Sequence, residues 1–439
     1  MKQRIGLIGN NSIEFINILL DIWNQGNCAV IIDFRIPFLK AFELLKIANV
    51  TKCYIQLGYP HESDKTLDII EYLCKTPKVM SAPKWLYDKF HNKYSNEEAV
   101  VLYSSGTTGN SKGVILSHYA INTNADAIYK YMDISYPESF AIIKSLCHVS
   151  TLVGELLVCL KYHINFILFS SQMMFREIIS NIQKFQINTI CINPTLMWFL
   201  YKYNVQKEDL LSLKTIYTSG AILSQELHMN IKQRYPDKYI LNVYGLTEAG
   251  PRVTAQTKVS NNIAGSVGKP IDGVEVKIIN RNGQNVAANE PGIIIVKTKT
   301  KYSGYVVNEG ISYNTQDVWI DTKDIGYLTT ENELFILGRA DNMININSHN
   351  VYPETIEEVI MSCGRVQECL ICKADDEESL ICYYTTDNER ELDDSSLLDI
   401  KCVCNMVLAP YEIPKKFILK KNLEKTYSGK LIRNYGGIL

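Results

Sequence analysis

The sequence predicts an α/β protein: two doubly wound α/β sheets plus a small β-rich subdomain, followed by an α+β C-terminal domain. Three observations carry this reading. Strand and helix signals alternate twice along the first half of the chain. Short strands separated by turn residues follow from near Thr254. The final hundred or so residues mix both element types. A length of 439 residues suits about three units of ~150 residues each.

The first sheet begins with the apolar run Ile5 to Ile8. Ser12 is placed to cap a helix whose first turn holds Glu14 and whose apolar face repeats at Ile16, Leu19 and Leu20. Strands at Cys28 to Asp33 and Lys52 to Gln56 flank a helix near Leu39 to Ala48, and this order predicts parallel pairing. Residues 60–96 carry no clear signal. Glu98 to Tyr103 is a strand, Ala120 to Met132 a helix. Phe140 to Leu146, Phe166 to Phe169, Thr189 to Asn193, Thr215 to Thr218 and Tyr239 to Val243 supply a second sheet. The expected division is a large domain over 1–340, with α/β subdomains over about 1–255 and a β-rich subdomain over about 256–338, and a small domain over 341–439. In the latter, a helix at Pro353 to Ser362, strands at Gln367 to Ala374 and Leu380 to Thr385, a polar patch at Asp375 to Ser379 and a helix at Asp394 to Val407 precede a lysine-rich tail.

Composition excludes several classes. Hydrophobic residues at 46% and charged residues at 21% are those of a globular chain, not a disordered or collagenous one. A net charge of −2 gives no overall field for nucleic acid or an anionic membrane. Twelve irregularly spaced cysteines are too few for a disulfide scaffold, and Cys369-Leu-Ile-Cys372 reads as a buried strand. The N-terminus lacks a long apolar region. The stretch Leu152 to Leu160, broken by Glu155, is shorter than the ~20 residues a membrane span needs. A cytoplasmic protein without a membrane span is expected.

The most informative segment is Tyr103-Ser-Ser-Gly-Thr-Thr-Gly-Asn-Ser-Lys-Gly113. Gly106, Gly109 and Gly113 allow tight backbone curvature. Ser104, Ser105, Thr107 and Thr108 add hydroxyls, and Lys112 a cation, which together suit a polyphosphate. A polar hairpin turn is the plainer reading, and the Walker order Gly-Lys-Ser/Thr is absent. The segment resembles the signature of the adenylate-forming superfamily of acyl-CoA synthetases, peptide-synthetase adenylation domains and luciferases. Four further segments continue the resemblance in family order. Tyr244-Gly-Leu-Thr-Glu248 is similar to YGxTE, although Thr-Glu after glycine is also a common helix start. Thr322-Lys-Asp324 is similar to TGD, with Lys323 in the glycine position. Leu337-Gly-Arg339-Ala-Asp341 resembles the GRxD that ends the large domain. The segment after it, Asn345 to Pro353, carries Asn345 and Ser348 where the family has lysine and glycine. Lys425-Thr-Tyr-Ser-Gly-Lys430 resembles KTxSGK, against the plain reading of a solvated basic tail.

The resemblance implies a two-step acid–thiol ligase that uses ATP and Mg²⁺, then coenzyme A or a carrier-protein phosphopantetheine. It implies that Lys430, Glu248, Thr108 and Lys112 are catalytic, with Glu248 holding Mg²⁺. It assigns the nucleotide to Ser104, Ser105, Gly106, Thr107, Thr108, Gly109, Lys112, Gly220, Ala221, Asn242, Tyr244, Gly245, Thr247, Asp324, Arg339 and Lys430. Asp341 would be the hinge of a mobile small domain. His148, Val149, Gly245 and Leu246 would line the acyl pocket, although a lone histidine after an apolar strand is as often a satisfied core residue. Peptide-synthetase domains carry an aspartate where Val149 stands, so a carboxylic acid without an α-amino group is expected as substrate. Arg252 is read either as a partner for a second acidic group on the substrate or as a surface residue. An acyl carrier protein is a candidate partner. A degenerate relative that binds nucleotide or a carrier protein without turnover is the competing class. Relatives usually have a further N-terminal stretch, so the first sheet is expected to lack elements or expose an edge, which a second subunit or partner would cover.

Overall fold

The structure is a computed structural model. It describes residues 2–61, 66–104, 112–134, 138–259, 263–308, 310–314, 319–346, 349–374, 379–386, 389–425 and 431–433. The polar patch expected at Asp375 to Ser379 lies outside them except for Ser379.

The first sheet has eight strands. Arg4–Gly9 lies between Cys28–Asp33 and Lys52–Gln56, parallel to both, because helices after Arg4–Gly9 and after Cys28–Asp33 carry the chain back across a face. The helix Ile13–Asn24 is capped by Ser12, whose Oγ accepts from the Phe15 N–H at 3.0 Å, and it buries Ile16, Leu19 and Leu20. The uninformative stretch 60–96 yields Asp68–Tyr72, a parallel strand on the edge of this sheet, and Val79–Ser81, an antiparallel edge of the second sheet. Gly304–Val307 and Gly310–Tyr313 form a hairpin that leaves the β-rich region and completes the first sheet by pairing with Lys112–Ser117.

The second sheet also has eight strands. Asn165–Phe169, Ser139–Ile142, Thr189–Ile192, Thr215–Thr218 and Tyr239–Gly245 run parallel in that spatial order. The strand expected to reach Leu146 ends at Ile142, which frees Ile143–His148 as a loop at the carboxyl end of the sheet. Asn11 holds that loop against the first sheet. Its Oδ1 accepts from the Leu146 N–H at 2.9 Å, and its Nδ2 donates to Lys144 O at 2.8 Å. A four-stranded antiparallel sheet follows, in the order Val274–Ile279, Gly292–Thr298, Ile320–Leu328, Leu334–Arg339.

At the C-terminus, Pro353–Ser362 and Asp394–Val407 are helices, and Glu368–Lys373 pairs antiparallel with Leu380–Thr385. Within the lysine-rich tail, Lys416–Leu419 adds a third, parallel strand that the charge pattern concealed. All twelve cysteines are free, and Cys369 is buried in its strand. Among the described residues, no helix is long and apolar enough to cross a membrane.

Candidate active site

Tyr244, Asp324 and Arg339, singled out in three separate segments, meet at the carboxyl end of the second sheet's strand Tyr239–Gly245, the edge where open α/β sheets bind ligands. Tyr244 ends the strand Tyr239–Gly245, and its hydroxyl donates to Asp324 Oδ2 at 2.5 Å. Burial, then the neighbouring carboxylate, drive the Tyr244 phenol well above its ordinary pKa, so it stays protonated and donates. Arg339 Nη1 donates to the other oxygen, Asp324 Oδ1, at 2.9 Å and to Thr322 O at 2.8 Å. A carboxylate has about four acceptor positions, the acceptor chemistry that a ribose diol calls for. Lys323 adopts φ +60, the left-handed conformation that glycine favours. Its amide and ammonium are both held by Asp321, at 2.9 and 2.7 Å. The turn shape is kept although the glycine is not.

Glycine at 245 is a close-approach requirement: a Cβ there would stand 2.0 Å from Pro251 O. The turn Thr247–Ala249 then presents Glu248. Tyr305, from the hairpin that joined the first sheet, donates to Glu248 Oε1 at 3.3 Å, and the Lys112 ammonium lies 5.7 Å from the centre of its ring. Sequence reasoning missed Tyr305, and no local motif marks it. Glu248 is a hard oxygen ligand beside the base of the glycine-rich loop. One carboxylate together with substrate phosphates suits Mg²⁺, which does not require a cage of protein ligands.

The glycine-rich loop springs from an antiparallel pair in which Ser104 lies opposite Lys112 and Tyr103 opposite Gly113. Ser105, Gly106, Thr107, Thr108 and Gly109 lie outside the described residues, as do Ser348 and Lys430. The chain on both sides of Lys430 is fastened to the small domain. Lys425 Nζ meets Glu368 Oε1 at 2.5 Å, and Arg433 grips the buried Glu357 with both guanidinium nitrogens, at 2.7 and 2.6 Å. Asp341 stands in an exposed turn between Leu334–Arg339 and the small domain.

Gly220, at φ +98, and Ala221 form an exposed turn after Thr215–Thr218. Asn242 is committed to the fold instead: it is buried, its N–H donates to Gln256 Oε1 at 2.8 Å, and its Nδ2 donates to Ser266 O at 3.2 Å. His148 heads the short helix Val149–Thr151, with Val149 buried and Leu246 half-buried. Its carbonyl accepts from the Leu152 N–H at 2.9 Å, which opens the π-helical turn Leu152–Leu157. The surface reading of Arg252 is overturned: its side chain is among the largest fully buried ones, with 2% of the residue exposed. Arg252 starts the strand Arg252–Ala255, and pairing with Tyr239–Gly245 carries it inside.

Comparison with known proteins agrees with this geometry. The family model described as AMP-binding enzyme matches residues 1–306, and the AMP-binding enzyme C-terminal domain matches residues 355–430. A probable CoA ligase of Humulus lupulus is 26% identical over 381 residues, which is 84% of this chain and 68% of that protein. A 2-succinylbenzoate–CoA ligase of Enterococcus faecalis is 23% identical over 99% of this chain and 88% of its own length. The solved o-succinylbenzoate coenzyme A synthetase of Bacillus subtilis with AMP superposes at a TM-score of 0.84, 22% identical, over 100% of this chain and 88% of that one.

Proposed function

The chain belongs to the AMP-binding enzyme family and is an acid-activating ligase, and we propose that it makes acyl-coenzyme A thioesters through an acyl-adenylate. The observation that carries the reading is the Tyr244–Asp324–Arg339 network, which joins three distant segments into one nucleotide cradle. In this reading Tyr244 offers its ring face to adenine, and Asp324 accepts from the ribose hydroxyls. Gly220 and Ala221 line the nucleotide edge.

The chemical difficulty is that a carboxylate must approach a polyphosphate. Lys112, the loop hydroxyls of Ser104, Ser105, Thr107 and Thr108, and Thr247 hold the phosphates. Lys430 is brought by the small domain to the developing charge on the α-phosphate. Glu248 would hold Mg²⁺, which would supply neutralisation of the phosphate charge. The acid attacks the α-phosphorus and pyrophosphate leaves.

The small domain then rotates about Asp341, withdrawing Lys430 and admitting the thiol. Among the described residues, Thr355 Oγ1 donates to Leu337 O at 2.9 Å and the Gln225 N–H to Glu358 Oε1 at 3.1 Å, ties that the rotation would release. Coenzyme A is favoured over a carrier protein because the curated relatives bear the names of CoA ligases.

Acid-dependent ATP–pyrophosphate exchange across a panel of carboxylic acids tests the first step, and thioester formation with coenzyme A against a phosphopantetheinylated carrier tests the second. Exchange with at least one acid and a coenzyme A product are expected. Nucleotide binding without exchange for any acid would overturn the reading in favour of a binding protein.

A further inference from the structure

Behind the nucleotide cradle, at the same carboxyl ends of the parallel strands, lies a second polar cluster that the adenylation chemistry leaves unused. Lys144 follows Ser139–Ile142 in the loop before His148, and its side chain is 16% exposed. Its ammonium pairs with Glu155 Oε1 at 3.0 Å. It also donates to Cys191 Sγ at 3.0 Å and to Ser219 Oγ at 3.2 Å. Ser219 directly precedes Gly220 and Ala221, so the cluster abuts the nucleotide edge. Glu155 is 0% exposed and sits in the π-helical turn that begins at the His148 carbonyl. Such turns add a residue to the helical circuit and recur at functional sites.

Arg252 closes the cluster from the other side. Its Nε donates to the Tyr131 hydroxyl at 2.9 Å, and its main-chain N–H donates to Asn124 Oδ1. Its Nη2 has no hydrogen-bond partner among the described residues, and neither does either oxygen of Glu155 in hydrogen-bond geometry. Gly154 makes room for the guanidinium, since a Cβ there would stand 3.1 Å from Nη2. A buried guanidinium with an unmet donor is costly, and natural interiors rarely leave one. The charge balance points the same way. Two cations, Lys144 and Arg252, face one carboxylate, Glu155, and the carboxylate is already paired with Lys144. An anion placed on Arg252 Nη2 would meet the donor and offset the surplus charge.

We propose, resting on the acid-activating reading above, that Arg252 determines substrate specificity and that the acid activated by this chain carries a second carboxylate. That group accepts from Arg252 Nη2, at the end of the acid remote from the carboxylate that attacks ATP. Glu155 and Lys144 neutralise each other, which leaves the guanidinium charge to the substrate. A monocarboxylic acid would leave the arginine unmet, and an acid ending in a neutral acceptor would leave the surplus charge.

The test pairs each dicarboxylic acid (succinic, glutaric, adipic, phthalic) with the monocarboxylic acid of the same skeleton and with its terminal carboxamide. Pyrophosphate exchange is read as kcat/KM, and thermal stabilisation in the presence of AMP reads binding without turnover. In the wild-type chain a dicarboxylic member is expected to exceed its monocarboxylic partner by about tenfold to a hundredfold, the effect of one buried charge-assisted hydrogen bond. Arg252→Leu is expected to bring that ratio to about one or invert it, while AMP affinity changes by less than about twofold. Arg252→Lys keeps the charge and loses the fork, so an intermediate ratio is expected.

Monocarboxylic acids preferred by the wild-type chain would overturn the proposal. So would an equal fall for both members of a pair in Arg252→Leu, which is what a purely structural arginine gives. A carboxamide as good as the carboxylate would overturn the anionic class. If no acid supports exchange, the acid-activating reading fails. In that case an absence of selective thermal stabilisation by any dicarboxylic acid separately overturns the assignment of Arg252.

Discussion

The proposed nucleotide side and the proposed acid side of the site are built on opposite principles. On the nucleotide side, Tyr244, Asp324 and Arg339 are joined to one another by hydrogen bonds of 2.5 and 2.9 Å. On the acid side, Glu155 is paired with Lys144 at 3.0 Å, while Arg252 Nη2 is buried without a hydrogen-bond partner among the described residues. The first arrangement is preorganised and is shared by every reaction that begins with ATP. In the proposal above, the second is completed by the substrate's second carboxylate, which accepts from Arg252 Nη2. A network closed on itself places a common substrate at little reorganisation cost. An open one makes binding depend on a particular partner, because the alternative is an unpaired buried donor.

The largest expected effect falls on neither side but between them. Lys430→Ala should lower adenylate formation by roughly a hundredfold to a thousandfold, the size of losing one preorganised group on developing charge. Attack of thiol on separately prepared acyl-adenylate should stay within a few-fold, because the lysine has left the site by then. Single-turnover measurements of the two half-reactions decide this. An equal loss in both would remove Lys430 from the chemistry and leave the lysine as part of the tail's packing.

Next comes the closed network. Asp324→Ala removes the acceptor from both the Tyr244 hydroxyl and Arg339 Nη1. It should raise KM for ATP about tenfold to a hundredfold, equally for every acid, and lower stability by about 1–3 kcal/mol through the stranded donors. The contrast with Arg252 is the point: a nucleotide-side change that acts on all acids alike, against an acid-side change that acts on their ratio. Should Asp324→Ala alter acid preference while sparing KM for ATP, the division into two sides collapses.

How much of this was legible follows the same division. The residues proposed for the nucleotide lie in short contiguous motifs, which local sequence order marks even though Lys323 departs from the usual glycine. Elements with clean periodicity were equally readable: Thr215–Thr218, Leu380–Thr385 and the helix Pro353–Ser362 stand where the pattern puts them. What escaped is non-local. The sequence leaves Arg252 open between a substrate-pairing and a surface residue because its partners Tyr131 and Gly154 are about a hundred positions away, and only the strand pairing with Tyr239–Gly245 takes it inside. Tyr305 reaches Glu248 only because its hairpin crosses to the first sheet. The strand Lys416–Leu419 hid behind lysines that lie at an exposed edge, where charge is normal.

The smallest effect probes whether the closed network depends on the one residue that departs from its motif. Lys323 holds φ +60, which costs an L-residue about 1–2 kcal/mol relative to glycine. Its exposed pair with Asp321 returns at most about 1 kcal/mol. Lys323→Gly relieves the strain but frees the unfolded chain by about 0.5–1 kcal/mol. These terms nearly cancel, so unfolding by denaturant should change by less than about 1 kcal/mol and AMP affinity by less than about twofold. The Lys323 side chain would then be a neighbour of the cradle and not part of it, since the turn that aims Asp324 is set by φ and by the Thr322 hydroxyl accepting from the Asp324 N–H at 3.1 Å. A tenfold fall in AMP affinity would instead place the ammonium on the nucleotide and make the departure from the motif a functional one.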